Sequence, residues 1–250
     1  MSSHQAWQLL HEDIHIWRVP LDQPAHAVDW LAAFLDADEH QRAARFQFAN
    51  LRRQFTVARG VMRHVLAGYL RVHPAELTFT YGPKGKPALG GVGAGDGLTF
   101  NLSHASELAL LAVGRGRVIG VDIEAVRPLA ELDAIALRYF CPTERAILAA
   151  SDEHGRRSWF YRFWTRKEAL LKATGDGLSL PLDRLDVSGA NLGTAQPMTV
   201  LDGTGTPRQL TVQDLDPGDG YTGAVAVEGA GWRSRTWTWH PHLGEARSPE

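Results

Sequence analysis

The sequence has little cysteine, little lysine and no excess of charge of either sign. Cys141 is the only cysteine among the 250 residues, which excludes an internal disulfide and a cysteine metal cluster. The 26 basic and 28 acidic residues leave a net charge of −2, so the chain has no overall field that would attract nucleic acid or an anionic membrane surface. We therefore predict neither a nucleic-acid partner nor a membrane partner.

Long apolar stretches are also lacking. No segment approaches the roughly 18 consecutive apolar residues that a transmembrane helix needs. The first residues lack the basic flank and the apolar run of a secretory signal. Together with the single cysteine, these features predict a cytoplasmic protein. The hydrophobic content of 44% is enough for a chain of this length to bury a large core in one domain or two smaller ones.

A strand pattern at Gly120–Glu124 places two acids on one side. Asp122 and Glu124 are two residues apart and point to the same face of a β-strand, whereas Val121 and Ile123 point to the other. Carboxylates on an otherwise apolar strand are costly unless a cation meets them. Mg²⁺ is a suitable cation, because it binds one or two carboxylates together with the phosphates of a substrate.

A helical pattern follows at Phe163–Ala173. Trp164, Glu168 and Lys172 recur at i, i+4 and i+8, so they share one helix face. This face adds a third carboxylate and an ammonium group, a combination that suits a metal-bound phosphate ester. Arg166 lies on another face, and we expect its replacement by alanine to have little effect on kcat.

The cations are unevenly distributed. Only four are lysines, and they occur in two short segments: Lys84, Lys86, Lys167 and Lys172. Between His40 and Ala75 there are seven arginines and no acidic residue: Arg42, Arg45, Arg52, Arg53, Arg59, Arg63 and Arg71. Guanidinium groups at this density suit phosphate recognition, and ion pairing with acids elsewhere in the chain is the alternative.

Two loop-like segments complete the candidate sites. The stretch Gly82–Pro87 carries two of the lysines, and its glycines allow close approach of the backbone to a ligand, although a plain turn has the same composition. The stretch Asn101–His104 ends a predicted strand, where ligand contacts are common. His104 could donate to a phosphate or serve only the structure. No histidine spacing indicates zinc.

The periodicity predicts a fold of the α+β class. We expect helices over residues 30–35, 40–75, 131–139, 143–150 and 158–174, the last closed by Gly175 or Gly177. A long loop is predicted over residues 83–97. Strands are predicted over residues 14–19, 98–103, 108–113, 118–124, 184–187, 198–201, 209–213, 222–227 and 232–239.

In their order and spacing, Asn101–His104, Gly120–Glu124 and Phe163–Lys172 resemble the motifs of the 4′-phosphopantetheinyl transferases of the longer, surfactin-synthetase-activating type. The resemblance covers about Arg42 to Leu185. It implies transfer of the phosphopantetheine arm of coenzyme A to a serine of an apo acyl or peptidyl carrier protein, with release of 3′,5′-ADP. It also implies two similar α+β halves that form an intramolecular pseudo-dimer in a monomer, with the active site in the cleft between them.

The resemblance also implies domain ranges and a metal site. The N-terminal half with the coenzyme A nucleotide contacts would span residues 1–116, the C-terminal half with the catalytic residues 117–239, and a flexible tail 240–250. Mg²⁺, with Mn²⁺ as a substitute, would bind Asp122, Glu124 and Glu168. Glu168 would accept the serine proton, directly or through a water, and Lys172 would contact the pyrophosphate.

The coenzyme A contacts implied by the resemblance lie in several segments. Lys86 and Pro87 would line the adenine, with Lys84 beside them, and Asp122 and Lys172 would also face the ligand. Contacts to the nucleotide phosphates would come from Ser103, His104, Arg42 and Arg59. Some relatives carry a lysine shortly before the position of Arg42, where this chain has Glu39 and His40, so the set of 3′-phosphate contacts stays open.

Two other functions use the same residues. A magnesium-dependent phosphoesterase acting on coenzyme A or nucleotides would use the acids to activate water. A non-catalytic coenzyme A-binding module would keep the acids for structural reasons. Which carrier protein is served, and whether acylated coenzyme A is accepted, stays open.

Overall fold

The computed structural model describes residues 8–175, 181–189, 194–202 and 204–241. Helices and mainly antiparallel sheets are mixed along the chain, which confirms the predicted α+β class. In chain order the elements are β1 (Asp13–Pro20), α1 (Ala25–Ala32), α2 (Ala37–Ala44), α3 (Ala49–Leu70), β2 (Thr78–Tyr81), β3 (Pro87–Gly90), β4 (Leu98–Ala105), β5 (Leu108–Arg115), β6 (Ile119–Ala125), α4 (Leu132–Tyr139), α5 (Pro142–Ala150), α6 (Glu153–Thr174), β7 (Gln196–Leu201), β8 (Pro207–Leu215), β9 (Tyr221–Glu228) and β10 (Arg233–Thr238).

The chain forms two compact units. Unit 1 comprises the described residues up to Gly82, Pro87–Gly116 and the described residues from Trp232 onward. Unit 2 comprises Pro83–Lys86 and the described residues of Arg117–Gly231. The domain ranges 1–116 and 117–239 stay a prediction. In the structure the short segment Pro83–Lys86 packs in unit 2 and β10 packs in unit 1. Most of the predicted tail, residues 242–250, lies outside the described residues.

Unit 1 is built on a four-stranded sheet in the order β10-β1-β5-β4, with β2 and β3 as a separate hairpin. β1 pairs with β10 in parallel and with β5 antiparallel. Helix α3 contributes the apolar side chains Val57, Val61 and Val65 to the same buried cluster as Leu111 and Val113 of β5. The first sheet therefore gains a strand from a chain segment that follows the whole of unit 2.

The prediction of one helix over residues 40–75 is wrong. Helix α2 ends at Ala44 and α3 begins at Ala49, because Phe48 has an extended backbone with φ −94° and ψ 131°. Arg71, in the left-handed conformation at φ 56°, ends α3. The predicted loop over residues 83–97 was also too long, since β3 lies within it and pairs with β2.

Unit 2 is built on an antiparallel sheet in the order β6-β9-β8-β7, against which α6 packs. The backbones of α6 and β6 approach closely at Gly120, where a Cβ atom would lie well inside 3.0 Å of the Ala169 oxygen and the Ala173 nitrogen. Real Cβ atoms essentially never come this near to other heavy atoms. Glycine at position 120 therefore permits the contact between the acid-bearing strand and the helix.

The prediction of a strand over residues 184–187 is wrong. Leu182–Arg184 form a 3-10 turn, and the carbonyl oxygens of Leu182 and Leu185 accept hydrogen bonds from Lys167 Nζ at 2.6 and 2.5 Å. Gly175 ends α6 at φ 77°, a left-handed conformation that favours glycine. The alternative cap, Gly177, lies outside the described residues.

Across the described part of the chain, no helix combines the length and apolar character that crossing a membrane requires.

Candidate active site in unit 2

The two acids of β6 lie where the strand faces α6. Asp122 is only 4% exposed, and its backbone pairs with Ala224 of β9. Glu124 is half-buried further along the same strand. The flanking Val121 and Ile123 are fully buried. The alternation read from the sequence therefore gives β6 a polar face and an apolar face, and both faces are buried over Ile119–Ile123.

Helix α6 brings the predicted i, i+4, i+8 face against these acids. Lys172 Nζ donates to Asp122 Oδ1 at 2.6 Å, so the ammonium group contacts the more buried of the two carboxylates of β6. Trp164 interacts with Glu124 and opposes the rise of its pKa. Glu168 lies one turn before Lys172 and interacts electrostatically with both acids of β6. The structure thus brings together the four predicted residues Asp122, Glu124, Glu168 and Lys172.

Burial and neighbouring acids raise the pKa of two of the three carboxyl groups. Burial raises the pKa of Glu168, the negative charges of Asp122 and Glu124 raise it further, and the charge of Lys172 opposes the increase. Burial and the charge of Asp122 likewise raise the pKa of Glu124, against the effects of Lys172 and Trp164. Three acids and one ammonium leave an excess of negative charge that a divalent cation would neutralise.

The donor set fits Mg²⁺ in chemistry, because all three candidate ligands are carboxylate oxygens, the hard donors that this ion prefers. Their ligand atoms do not all lie within 4.8 Å of one another. Lys172 forms an ion pair with Asp122, and its positive charge compensates the buried carboxylate of the strand.

Within the described residues, the only three ligand-type side chains that do come so close are those of Cys141, Glu144 and Asp186. Lys167 Nζ lies 3.0 Å from Glu144 Oε2, and both of these side chains are fully buried. The carboxylate of Glu144 also accepts the backbone N–H groups of Cys141 and Val187, each at 2.9 Å. The cluster therefore already has its cation, and it joins the start of α5 to the segment after the 3-10 turn.

The structure gives Arg166 a stabilising role that the sequence analysis does not predict. Its side chain is 1% exposed, and its guanidinium donates to both carboxylate oxygens of Asp214 on β8, at 2.6 and 2.7 Å. A further N–H donates to the Val187 oxygen at 2.5 Å. Asp214 is only 8% exposed, and Arg162 is its second cationic partner. Arg166 lies on the helix face opposite Glu168, and its buried ion pair with Asp214 holds α6 against β8 of the sheet.

Replacing Arg166 with alanine is expected to destabilise the protein by about 3–5 kcal/mol, because it removes the main partner of a buried carboxylate. Urea-induced unfolding followed by circular dichroism measures the loss. Arg157 on the same helix pairs with Glu153 at the surface, and Arg157→Ala should cost less than about 0.5 kcal/mol. Equal losses for the two variants would contradict the structural role of Arg166.

In unit 1, three of the seven arginines that suit phosphate recognition line one cavity of about 340 Å³. Arg42 lies over the ring of Phe55 at 5.5 Å, and Arg59 lies over the ring of Phe79 at 5.2 Å. The lining residues are Asp38, Glu39, Gln41, Arg42, Arg45, Phe55, Arg59 and Tyr81. The wall thus combines three guanidinium groups with two acids, and it is less positive than the arginine-rich sequence of the helices suggests.

Glu39 accounts for much of this difference. Its carboxylate, 4% exposed, accepts from Arg59 Nε and from Arg63 Nε, each at 2.6 Å. Arg63 is fully buried and also binds Asp36 and the Leu77 oxygen, so it serves the structure of unit 1. Asp36 and Glu39 form a capping box at the start of α2. That Asp-x-x-Glu pattern is visible in the sequence and could have located these acids beside the arginines.

The other predicted nucleotide contacts belong to different elements of the chain. Ser103 is buried and His104 exposed near the end of β4, where they pair with Leu110 and Ala109 of β5. Lys84 is exposed, and Pro87 begins β3. Lys86 differs from all of these, because its ammonium group is bound by backbone oxygens of unit 2.

Comparison with known proteins gives matches in both parts of the chain. Residues 118–226 match the model described as the 4′-phosphopantetheinyl transferase superfamily, and residues 20–115 match the one described as 4′-phosphopantetheinyl transferase, N-terminal. The 4′-phosphopantetheinyl transferase HetI of Nostoc sp. (strain PCC 7120) is 42% identical over 229 residues, which cover 92% of this chain and 93% of that protein.

A less similar relative carries the same description. The 4′-phosphopantetheinyl transferase Sfp of Bacillus subtilis (strain 168) is 27% identical over 186 residues, with 74% of this chain and 80% of that protein covered. Among solved structures, an apo-ACPS structure from Chronobacterium ammoiniagenes matches at a TM-score of 0.28 and 17% identity, over 44% of this chain and 94% of that one.

Proposed function

We propose that coenzyme A is the donor and that a serine of an apo acyl or peptidyl carrier protein is the acceptor. This proposal starts from the family, because the chain belongs to the 4′-phosphopantetheinyl transferase superfamily and is a phosphopantetheinyl transferase. The observation that carries the proposal is the electrostatic coupling of four side chains between β6 and α6: Lys172 Nζ donates to Asp122 Oδ1, and Glu124 and Glu168 both interact with these two groups. Three carboxylates that can bind a divalent cation, together with one ammonium group, suit a transfer at a pyrophosphate.

The reaction exchanges one P–O bond for another. The serine oxygen of the carrier attacks the phosphorus that bears the pantetheine arm, and the bond from that phosphorus to the 3′,5′-ADP oxygen breaks. The hydroxyl proton moves to a base, and the leaving group takes the electron pair of the broken bond. In this scheme the ammonium group of Lys172, which lies beside Asp122, contacts the pyrophosphate and offsets part of its negative charge.

Glu168 is the proposed base. Burial and the neighbouring acids raise its pKa, and a carboxylate of higher pKa accepts a proton more readily. Its position one turn before Lys172 places the base and the cation on the same face of α6. The proton transfer occurs either directly or through a water.

A divalent metal completes the proposed site. Asp122, Glu124 and Glu168 would hold Mg²⁺, and Mn²⁺ would substitute because it also binds carboxylate oxygens. When bound, the ion supplies positive charge to the phosphate oxygens of coenzyme A. The contacts proposed for Arg42, Arg59, Lys84, Pro87, Ser103 and His104 with the nucleotide remain predictions, whereas the ammonium group of Lys86 is bound by three backbone oxygens.

We also propose that the protein acts as a monomer in the cytoplasm. The two units with separate buried clusters, both within one chain, support the first point. Cys141 is a buried free thiol, which supports the second point. Sedimentation and cell fractionation test these two statements independently of the activity.

Intact-mass spectrometry of apo carrier proteins, after incubation with coenzyme A and Mg²⁺, tests the transfer itself. The expected result is a gain of one phosphopantetheine group per carrier, and a carrier whose acceptor serine is replaced by alanine should gain nothing. Phosphate release from coenzyme A without modification of any carrier would instead favour the phosphoesterase. Coenzyme A binding that is indifferent to Mg²⁺, with no chemistry, would favour the binding module.

The metal gives a separate prediction. Because three carboxylates repel one another when no divalent cation is bound, chelation by EDTA should abolish transfer, and excess Mg²⁺ or Mn²⁺ should restore it. The same titration followed by thermal unfolding should show stabilisation of the protein by either metal. Full activity in excess EDTA would rule out the metal assignment.

A further inference from the structure

Lys86 binds the end of the helix that carries the catalytic residues. Its ammonium group donates to three backbone carbonyl oxygens: that of Lys172 at 2.6 Å, that of Ala173 at 3.0 Å and that of Ile119 at 2.8 Å. The first two belong to the last turn of α6, and the third belongs to the first residue of β6. One side chain therefore connects the end of the helix to the start of the acid-bearing strand.

These bonds satisfy groups that a helix cannot satisfy by itself. The last four carbonyl oxygens of an α-helix have no partner within the helix, and they carry the negative end of its dipole. The Gly175 N–H donates to the Leu171 oxygen at 3.0 Å. Lys86 donates to the next two carbonyl oxygens of the helix, those of Lys172 and Ala173. A Cβ at Gly175 would lie 3.7 Å from Lys86 Cδ, so the lysine stem passes directly over the glycine cap.

The bonding capacity of the ammonium group is used up. An ammonium has three N–H donors and no acceptor, and three carbonyl oxygens lie within hydrogen-bond distance of it. Burial lowers the pKa of Lys86 to about 8, which indicates how far the amine is removed from water. No N–H of this group is left for a phosphate or a base nitrogen of a ligand.

We infer that Lys86 is a positioning residue of the transferase: it fixes the end of α6 against β6 and thereby holds Glu168 and Lys172 at their distance from Asp122. The inference rests on the proposed function for its kinetic consequences only. Gly120 allows the helix and the strand to meet, and Lys86 ties them together at the same place. The same contacts explain why Pro83–Lys86 packs with unit 2.

The first test measures anchoring directly, by hydrogen exchange and mass spectrometry of the whole protein. In Lys86→Met the amides of the last turn of α6 should exchange faster than in the wild type, because two carbonyl oxygens lose their partner. Lys84→Met is the matched control, since Lys84 lies two residues earlier in the same segment and is exposed. Unchanged exchange at the end of α6 in Lys86→Met would overturn the inference.

The second test separates positioning from a contact with the adenine. Lys86→Met should lower kcat about ten- to a hundredfold, with a change in KM for coenzyme A of less than about threefold, since displaced catalytic groups affect the transition state more than binding. The loss should be the same with a pyrophosphate-linked pantetheine substrate that lacks adenosine. A loss confined to KM, and only with the complete coenzyme A, would assign Lys86 to adenine binding and overturn the inference.

Lys86→Arg provides a conservative variant. A planar guanidinium keeps the charge but has a different donor geometry, so it should restore part of the exchange protection and part of kcat. If the wild type modifies no carrier, the proposed function fails, whereas the exchange experiment still decides whether Lys86 anchors α6.

Discussion

Replacing Glu168 with glutamine is expected to reduce kcat about a hundredfold or more. The substitution keeps the size of the side chain but removes the group proposed to accept the serine proton and one carboxylate of the proposed metal site. Mass-spectrometric rates of carrier modification at saturating coenzyme A measure the effect. Glu153→Gln is the control, because Glu153 lies in the first turn of the same helix, 91% exposed, and its substitution should leave the rate unchanged.

The same variant should be at least as stable as the wild type. Burial and the charges of Asp122 and Glu124 raise the pKa of Glu168, which means that the ionised form is disfavoured in the folded protein. A neutral amide removes this repulsion, so the urea midpoint should stay constant or rise. A fall in the midpoint that parallels the loss of rate would contradict the catalytic assignment and indicate damage to α6.

Gly120→Ala is expected to destabilise the protein by at least about 3 kcal/mol, because the added methyl group would overlap the backbone of α6 and cannot be relieved by a side-chain rotation. The rate of transfer should fall with it, since α6 would have to move away from Asp122. Urea unfolding monitored by far-UV circular dichroism measures the stability.

Gly95→Ala is the matched control for this substitution. A Cβ at Gly95 would have no heavy atom within 4 Å, so alanine there should shift the stability by less than about 1 kcal/mol. An unfolding midpoint for Gly120→Ala equal to that of the wild type would show that helix and strand are further apart than the structure has them.

The local patterns around the site were readable from the sequence. The alternation of β6 and the helical recurrence of Trp164, Glu168 and Lys172 depend on fixed periods of two and 3.6 residues, which the sequence displays directly. The class of the fold follows from the same periods. What periodicity cannot give is the identity of a partner distant in the chain.

The features that the sequence analysis does not predict have this origin. The ion-pair partners of Arg59 and Arg166 are Glu39 and Asp214, which lie 20 and 48 residues away in the chain. The helical pattern was extended through Phe48, because the backbone turn there leaves the apolar content unchanged. The segment after Leu182 has the composition of a strand, but its carbonyl oxygens bind Lys167 instead of a neighbouring strand.

The parallel pairing of β1 with β10 affects the order in which the protein can fold during its synthesis. A ribosome releases β1 early, and it releases all four strands of unit 2 before Arg233–Thr238 of β10 appear. Unit 2 therefore has its complete sheet while the sheet of unit 1 still lacks a strand. Until then one edge of β1 is unpaired, and Trp237 is absent from the buried cluster that contains Trp17. Nascent chains that stall before residue 233 thus present an open strand edge, the kind of surface that chaperones bind.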